Sequence, residues 1–276
     1  MNRARHAGVT ALVLAAGQGT RMHSDIAKVL HPLAGRPLLA HVLDALEAVG
    51  PGRVLVVVGH QRESVMEAFA DRAVEWVIQA EQRGTGHAVR MAEPALAGFT
   101  GTLLVVCGDT PLLTPRTLEE LLERHTGSGA AVTVLSMRLP DPRGYGRVLR
   151  DPAGGIAAIV EDRDATPGQR AIDEVNSGNY AFEYPALAGV LSSMSAHNVQ
   201  GEYYLTDTVA LLRRRGHRTA VVCGADHREL LGVNSLEQLA EAERIFLERE
   251  AAAGRGRAAG GSVSKAGAGR RGGAPR

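Results

Sequence analysis

Three stretches of this 276-residue chain are too apolar, and too short, to be anything but strands hidden on both faces. Val9 to Leu14, Arg53 to Val58 (RVLVVV) and Thr102 to Val106 (TLLVV) are rich in β-branched residues and each lies close to glycines. A strand buried on both faces belongs to a parallel sheet and needs helices above and below it. The segments between the runs have the pattern of those helices. Pro37 to Val49 sets Leu38, Leu39, Val42, Leu43, Leu46 and Val49 at spacings of three and four, with proline at its start and Gly50 just past its end. Further along, the pattern predicts a helix over Ser64 to Ala70, a strand over Val74 to Gln79 and a helix from Gly84-Thr85-Gly86 toward Leu96. Thr114 then reads as an N-cap with Pro115 in the first helical position, for a helix to about His125. A strand over Ala131 to Leu139 closes this half. The fold class expected is α/β: a Rossmann-like mixed, mostly parallel sheet with helices on both faces. Right-handed crossovers in such a sheet place ligand-binding loops at the carboxyl ends of the strands.

From Gly144 the texture changes. Arg147 to Arg150, a turn at Asp151 to Gly155, and Ile156 to Glu161 form a predicted β-hairpin, a lid or wall beside the sheet. Ile172 to Phe182 is strand-like with a break at Asn176-Ser177-Gly178, so a small β-rich lobe spans about residues 141–182. Helices follow over Pro185 to Leu191 and over Glu202 to Arg215, the second with Thr206 as a cap, and then a short strand over Thr219 to Cys223. Ser235 with Gln238 three residues on is a capping box for a last helix ending near Glu250. The domain organisation expected is an extension over residues 1–7, one domain over 8–250, and a disordered tail over 251–276. That tail holds eight glycines and almost nothing to bury.

Charge narrows the partners. The overall formal charge of +1 conceals a basic tail, because residues 251–276 hold five Arg and one Lys with no acid. The first 250 residues carry 25 basic against 30 acidic groups. A body with that acidic excess lacks the basic face that nucleic acid requires. Cys107 and Cys223 stand alone, without metal-ligand spacing, which suits a reducing, cytoplasmic setting and argues against thiolate metal chemistry. His60, His87 and His197 are scattered and read as structural or solvated. No stretch has the length of a membrane span or the pattern of a signal peptide.

The chemistry concentrates in LAAGQGTRMHSDIAK, residues 14–28. An apolar strand breaks into Gly17-Gln18-Gly19 and continues through Arg21 to Lys28, so backbone N–H groups and two full charges can face an anion. A plain turn with two solvated cations is an equally good reading of that stretch alone. A Walker A loop is absent, and a dinucleotide fingerprint fails because Met22 occupies the place of its third glycine. Phosphoryl or nucleotidyl transfer fits better, with Mg²⁺ held by Asp109 at the end of the Thr102 strand. GDTP is also a good turn sequence, so Asp109 by itself could be a turn residue.

Motifs further along settle into one order: Gln79-Ala80-Glu81-Gln82, Gly84-Thr85-Gly86-His87, Gly108-Asp109, Gly144-Tyr145-Gly146-Arg147, Val160-Glu161-Asp162, Glu174 to Gly178, Gly201 to Asp207 and Gly232-Val233-Asn234. Over about residues 8–250 the chain resembles the N-terminal uridyltransferase domain of the bifunctional N-acetylglucosamine-1-phosphate uridyltransferase/glucosamine-1-phosphate acetyltransferase family. That resemblance implies UTP and N-acetylglucosamine 1-phosphate as substrates, and UDP-N-acetylglucosamine and pyrophosphate as products, for cell-wall precursor synthesis. It implies catalytic roles for Arg21 and Lys28, and Mg²⁺ on Asp109 and Asn234. Uridine would fall to Ala15, Gly17, Gln79, Gly84 and Thr85, with Leu14, Ala16, Cys107 and Gly108 completing the nucleotide site. The sugar would fall to Gly146, Glu161 and Asn176, with Tyr145 beside them. Gln79 taken alone would be an exposed strand end, and Glu161 and Asn176 ordinary hairpin and strand-end residues. Cys107, where some relatives carry an aromatic residue, is expected to act through its backbone. Ser177 stands where threonine is common. The family's left-handed β-helix has no counterpart in the sequence, so acetyltransferase activity is expected to be absent and trimerisation loses its main support. Two alternatives remain: a nucleotidyltransferase for another sugar 1-phosphate, and a catalytically silent nucleotide-sugar-binding regulatory protein.

Overall fold

A computed structural model describes residues 5–261, with side chains through residue 252. Its first half alternates strand and helix. After β1 (His6–Ala15) come a two-residue ladder of β2 (Pro32–Leu33) with β3 (Arg36–Pro37), α1 (Leu38–Val49), β4 (Pro51–Val58), α2 (Arg62–Ala68), β5 (Glu75–Ile78), α3 (Thr85–Met91), β6 (Thr102–Cys107), α4 (Pro115–Ser128) and β7 (Val132–Arg138). The second half holds β8 (Arg147–Arg150), β9 (Ile156–Val160), α5 (Pro167–Arg170), β10 (Glu174–Glu183), α6 (Tyr184–Leu191), α7 (Asp207–Arg214), β11 (Thr219–Cys223) and α8 (Leu236–Gly261).

The main sheet runs in the order β11-β7-β10-β6-β1-β4-β5. All neighbours are parallel except β10, which is antiparallel to both β6 and β7. The cause lies in the connection. The chain leaves β7 at Arg138, builds the β8–β9 hairpin at that end, and re-enters at Glu174 opposite Arg138 with no long crossover helix to carry it back. The hairpin joins the sheet only through the pairing of Arg147 with Val175.

Both faces of the central strands are apolar, and successive residues divide between two cores. Val13, Val56 and Leu104 pack on one side with Leu43 and Leu46 of α1 and Leu118 and Leu121 of α4. Leu12, Leu55 and Val105 pack on the other with Val89 of α3, Leu187 of α6 and Leu212 of α7. This period of two with no polar face is what makes the strands buried rather than half-solvated. A third, smaller core joins Met22, Leu33, Leu38 and Leu112 to Val233, Ala242 and Ile245, and so seats α8 against the loop that follows β1.

Several boundaries differ from expectation. The strand β1 begins at His6, inside the supposed extension, because His6 takes up register with Pro51 of β4; residues 1–4 lie outside the described residues. The helix α7 starts at Asp207 rather than Glu202, since Tyr203 is held in a loop by its N–H on the Arg83 carbonyl and its own carbonyl on the Gly86 N–H. Thr206 is already helical in φ and ψ and caps nothing. Finally, α8 continues through Gly261, because Ala251, Ala252 and Ala253 are strong helix formers following directly on a helical face. The helix thus takes in residues 251–261 of the expected tail, and residues 262–276 lie outside the described residues.

Candidate active site

The strand order places β1 between β4 and β6, so the chain's crossovers diverge to either side of it. A crevice at the carboxyl ends of such strands is where an open α/β sheet binds ligands. Leu14 to Gly17 leave β1, Gln79 follows β5, and Gly108-Asp109 follow β6, all at that edge. The Gly108 N–H donates to the Leu14 carbonyl at 2.9 Å and ties two of these ends together. Gly19 has φ of 63°, and a Cβ there would come within 2.7 Å of Lys28 Cβ. Only glycine therefore lets the loop close over the lysine.

Lys28 is the junction. Its Nζ donates to Asp109 Oδ2 and, at 3.0 Å, to Asn234 Oδ1. Lysine and aspartate side chains are only 12% and 16% exposed, so this is a sheltered pair rather than a surface one. Asn234 is delivered by the backbone: Val233 N–H donates to the Asp109 carbonyl at 2.8 Å. Gln238 secures it from α8, its Oε1 accepting from the Asn234 N–H at 2.8 Å while Ser235 Oγ accepts from the Gln238 N–H. The Ser235 half of the capping box is as expected, and the Gln238 side chain reaches one residue further back, to Asn234.

One carboxylate oxygen and one amide oxygen converge on a single cationic point. That donor set fits Mg²⁺, a hard cation that takes few protein oxygens and completes its shell with water and phosphate. Among the described residues no group of three or more His, Cys, Asp and Glu side chains is placed to hold a metal ion. Arg21 lies in a 3-10 turn beside buried Met22, is itself exposed, and has no ion pair or hydrogen bond among the described residues. Its charge is near enough to Tyr145 to oppose, in small part, the burial that pushes that phenol upward.

A cleft of about 410 Å³ runs from this cluster toward β5 and α3. It is lined by Leu14, Ala15, Ala16 and Gly17 on one side, by Gln79, Gly84 and Thr85 on another, and by Cys107 and Asp109 at its floor. Gly84 has φ of 100°, and a Cβ would sit 2.6 Å from the Tyr203 carbonyl. Gln79 is 3% exposed, not the exposed strand end that Gln suggests by itself. Its Nε2 donates to the Gly84 carbonyl at 3.1 Å and meets His87 Nδ1 at 3.0 Å. Cys107 has no backbone group to spare: its N–H donates to Asn179 Oδ1, and its carbonyl accepts from Thr110 twice. The thiol donates to the Gly178 carbonyl at 3.3 Å. Burial, then Asp109, push that thiol up to about 12, so it stays protonated.

Gly146, Glu161 and Asn176 come together on the lobe, away from the cleft lining. Asn176 N–H donates to the Gly146 carbonyl at 2.8 Å, and a Cβ on Gly146 would lie 3.4 Å from Glu161 Oε2. Burial raises the Glu161 pKa, and Thr206 Oγ1 opposes this by donating to Oε1 at 2.9 Å. Asn176 already uses its amide at both ends, giving to Tyr180 Oη and accepting from Gly178 N–H. Ser177 Oγ is buried on the Leu135 carbonyl, inside the irregularity where β10 slips against β7. The same irregularity brings the Gly178 carbonyl to Cys107 Sγ at 3.3 Å, so lobe and cleft share a wall. Behind it Arg147, 1% exposed, holds Asp162 at 3.0 Å and the Tyr145 carbonyl.

Thr206, Gln238 and His87 join this site without a sequence signal of their own: Thr206 reads as a helix cap, Gln238 as part of a capping box and His87 as a structural or solvated histidine.

Residues 11–171 match the MobA-like NTP transferase domain. The bifunctional protein GlmU of Thermobifida fusca is 52% identical over 256 residues, covering 90% of this chain and 52% of that protein. The bifunctional proteins GlmU of Streptomyces avermitilis and Heliobacterium modesticaldum are 52% and 51% identical, over 86% and 87% of this chain. This chain spans about half the length of these curated relatives. A crystal structure of UDP-glucose pyrophosphorylase complexed with UDP-glucose superposes with a TM-score of 0.68 at 18% identity, covering 87% of this chain and 98% of that one. That likeness shows the fold, a nucleotide-sugar transferase type.

Proposed function

The chain belongs to the MobA-like NTP transferase family, and from that premise we propose that it transfers a uridylyl group from UTP to N-acetyl-α-D-glucosamine 1-phosphate, releasing pyrophosphate and UDP-N-acetylglucosamine. The observation that carries the proposal is the position of Lys28. It lines the same cleft as Gln79 and Gly84, bonded there to Asp109 and Asn234, and Cys107 of that cleft meets the lobe at the Gly178 carbonyl.

The nucleophile is a phosphate oxygen of the sugar phosphate, already anionic, so no general base is needed. It attacks the α-phosphorus of UTP; the new P–O bond forms as the bond to the β-phosphate breaks, and pyrophosphate leaves with that electron pair. Catalysis is then the work of bringing two anions together and holding the charge that develops. An ammonium has three donors, and Asp109 and Asn234 occupy two of those on Lys28. The third faces the transferring phosphate. Arg21, exposed and unpaired among the described residues, takes the departing pyrophosphate. Asp109 and Asn234 would hold Mg²⁺ through the lone pairs that Lys28 leaves open, and the ion would supply further neutralisation of phosphate charge. The lobe supplies the sugar contacts, with the Glu161 carboxylate accepting from a hydroxyl.

Position-labelled UTP tests the bond assignment. The α-phosphorus should appear in the nucleotide sugar and the β- and γ-phosphorus in pyrophosphate; an α-label in inorganic phosphate contradicts the reading. The 276 residues are proposed to carry no acetyl transfer of their own. Acetyl-CoA with glucosamine 1-phosphate should release no free thiol, and appearance of CoA refutes that part.

A further inference from the structure

The amide of Gln79 is directional, and two acceptors, one in the cleft lining and one behind it, set the direction. An amide has two N–H donors and one oxygen acceptor. Both donors of Gln79 point at protein acceptors, the Gly84 carbonyl at 3.1 Å and His87 Nδ1 at 3.0 Å. Turning the amide over would set its oxygen against the Gly84 carbonyl oxygen, so the observed orientation is the one without a clash of lone pairs. That leaves Oε1, with no protein donor among the described residues, as the amide's remaining function in a residue that lines the cleft.

His87 can hold this arrangement only as a neutral ring protonated on Nε2, since Nδ1 must offer a lone pair. Its surroundings favour that form. Burial and the nearby Arg83 guanidinium hold its pKa below the ordinary histidine value, with Arg90 adding to them against the opposing Glu81. The ring also lies tilted against Tyr203, at 6.4 Å between centroids, and Tyr203 is itself covered by Arg83 and Arg90. A stack of this kind fixes the imidazole plane, and with it the direction of the Nδ1 lone pair.

We propose that His87 is a positioning residue for base selection: it locks Gln79 so that the cleft presents a hydrogen-bond acceptor, and thereby selects a pyrimidine carrying an N–H at ring position 3 over one with a bare nitrogen there. The inference rests on the reading of this cleft as a uridine site. Uracil has that imino N–H; cytosine sets a lone pair against Oε1 instead. His87 touches no substrate in this account and acts through Gln79 alone.

The test compares UTP with CTP as nucleotidyl donors for wild type, His87→Leu, His87→Asn and Gln79→Ala, with thermal melts to establish that each variant is folded. Leucine has no acceptor, whereas the asparagine oxygen can replace Nδ1. His87→Leu should raise the UTP KM about tenfold with kcat within about twofold, and lower the UTP over CTP preference by about tenfold. His87→Asn should restore both to within about threefold of wild type. Independently of any variant, the imidazole ¹⁵N shifts of the wild-type chain should show His87 protonated on Nε2 and bare on Nδ1. A ring protonated on Nδ1 overturns the proposal. So does an unchanged UTP over CTP ratio in His87→Leu while Gln79→Ala loses it, which would leave the uridine reading standing. A wild-type enzyme with no preference for UTP removes that reading and this inference together.

Discussion

Lys28 and Asp109 are bound to each other as firmly as they are assigned to substrate. Both side chains are largely sheltered from water, and removing one leaves the other charge with little hydration and no counter-charge. Asp109→Ala should therefore lower stability by about 3 kcal/mol as well as abolish turnover. The double variant with Lys28→Ala should lose less than the sum of the two single losses; additive losses by denaturant titration would contradict the pairing. Glu161 shows the opposite economy. Its folded pKa is raised by burial, so ionisation opposes folding: the related stability is present below the unfolded value and is lost as pH rises through the folded one. Glu161→Gln keeps the acceptor for Thr206 and removes the charge. Its Tm at pH 7 should rise by about 2–4 °C, the shift for about 1 kcal/mol in a chain of this size, with no difference at pH 4. The KM for the sugar phosphate should rise at least about tenfold. A lower Tm at pH 7 would contradict the assignment. Stability and the proposed sugar recognition are thus opposed at one carboxylate.

Elements carry the site because their ends are fixed by packing far from it. The helix α4 packs on β7 through His125, buried with Nδ1 at 3.1 Å from Thr133 Oγ1, and burial lowers its pKa. A depressed histidine contributes stability above its unfolded pKa, and that contribution is lost as pH falls from about 6.5 toward the folded value. His125→Asn should accordingly flatten the loss of stability between about pH 6.5 and 5, by up to about 1.4 kcal/mol per pH unit. An unchanged slope in chemical denaturation would mean that the ring does not titrate on unfolding. Much at this scale was legible in the sequence. β4 and β6 could be read from their apolar runs because burial on both faces permits little else, and α4 could be read from Thr114-Pro115 because Thr114 Oγ1 does accept from the Thr117 N–H. What depended on distant partners was not legible. The start of α7 is set by the contact of Tyr203 with Arg83 and Gly86, more than a hundred residues away. The approach of His87 to Tyr203 likewise joins residues far apart in the chain, whereas the hold of Gln238 on Asn234 is local and differs from the expected cap by one residue.

Across the whole molecule, the reversal of β10 brings the two halves of the site together. It returns the chain from the lobe into the sheet beside β6, so the irregularity at Ser177-Gly178 meets Cys107 at the cleft floor. The wall proposed for the sugar and the cleft proposed for the nucleotide therefore share one boundary, at the contact of Cys107 with Gly178. The order of motifs points to both halves, but only the antiparallel strand explains why Cys107 and Gly178, 71 residues apart in the chain, converge. No described helix is long and apolar enough to cross a membrane. The central claim is that this junction joins UTP to N-acetylglucosamine 1-phosphate. Pyrophosphate release with Mg²⁺, UTP and a panel of sugar 1-phosphates tests it most directly. N-acetylglucosamine 1-phosphate should be turned over with the highest kcat/KM, and Glu161→Gln should erode that lead; faster turnover of another sugar 1-phosphate, or no pyrophosphate with any of them, would contradict the account.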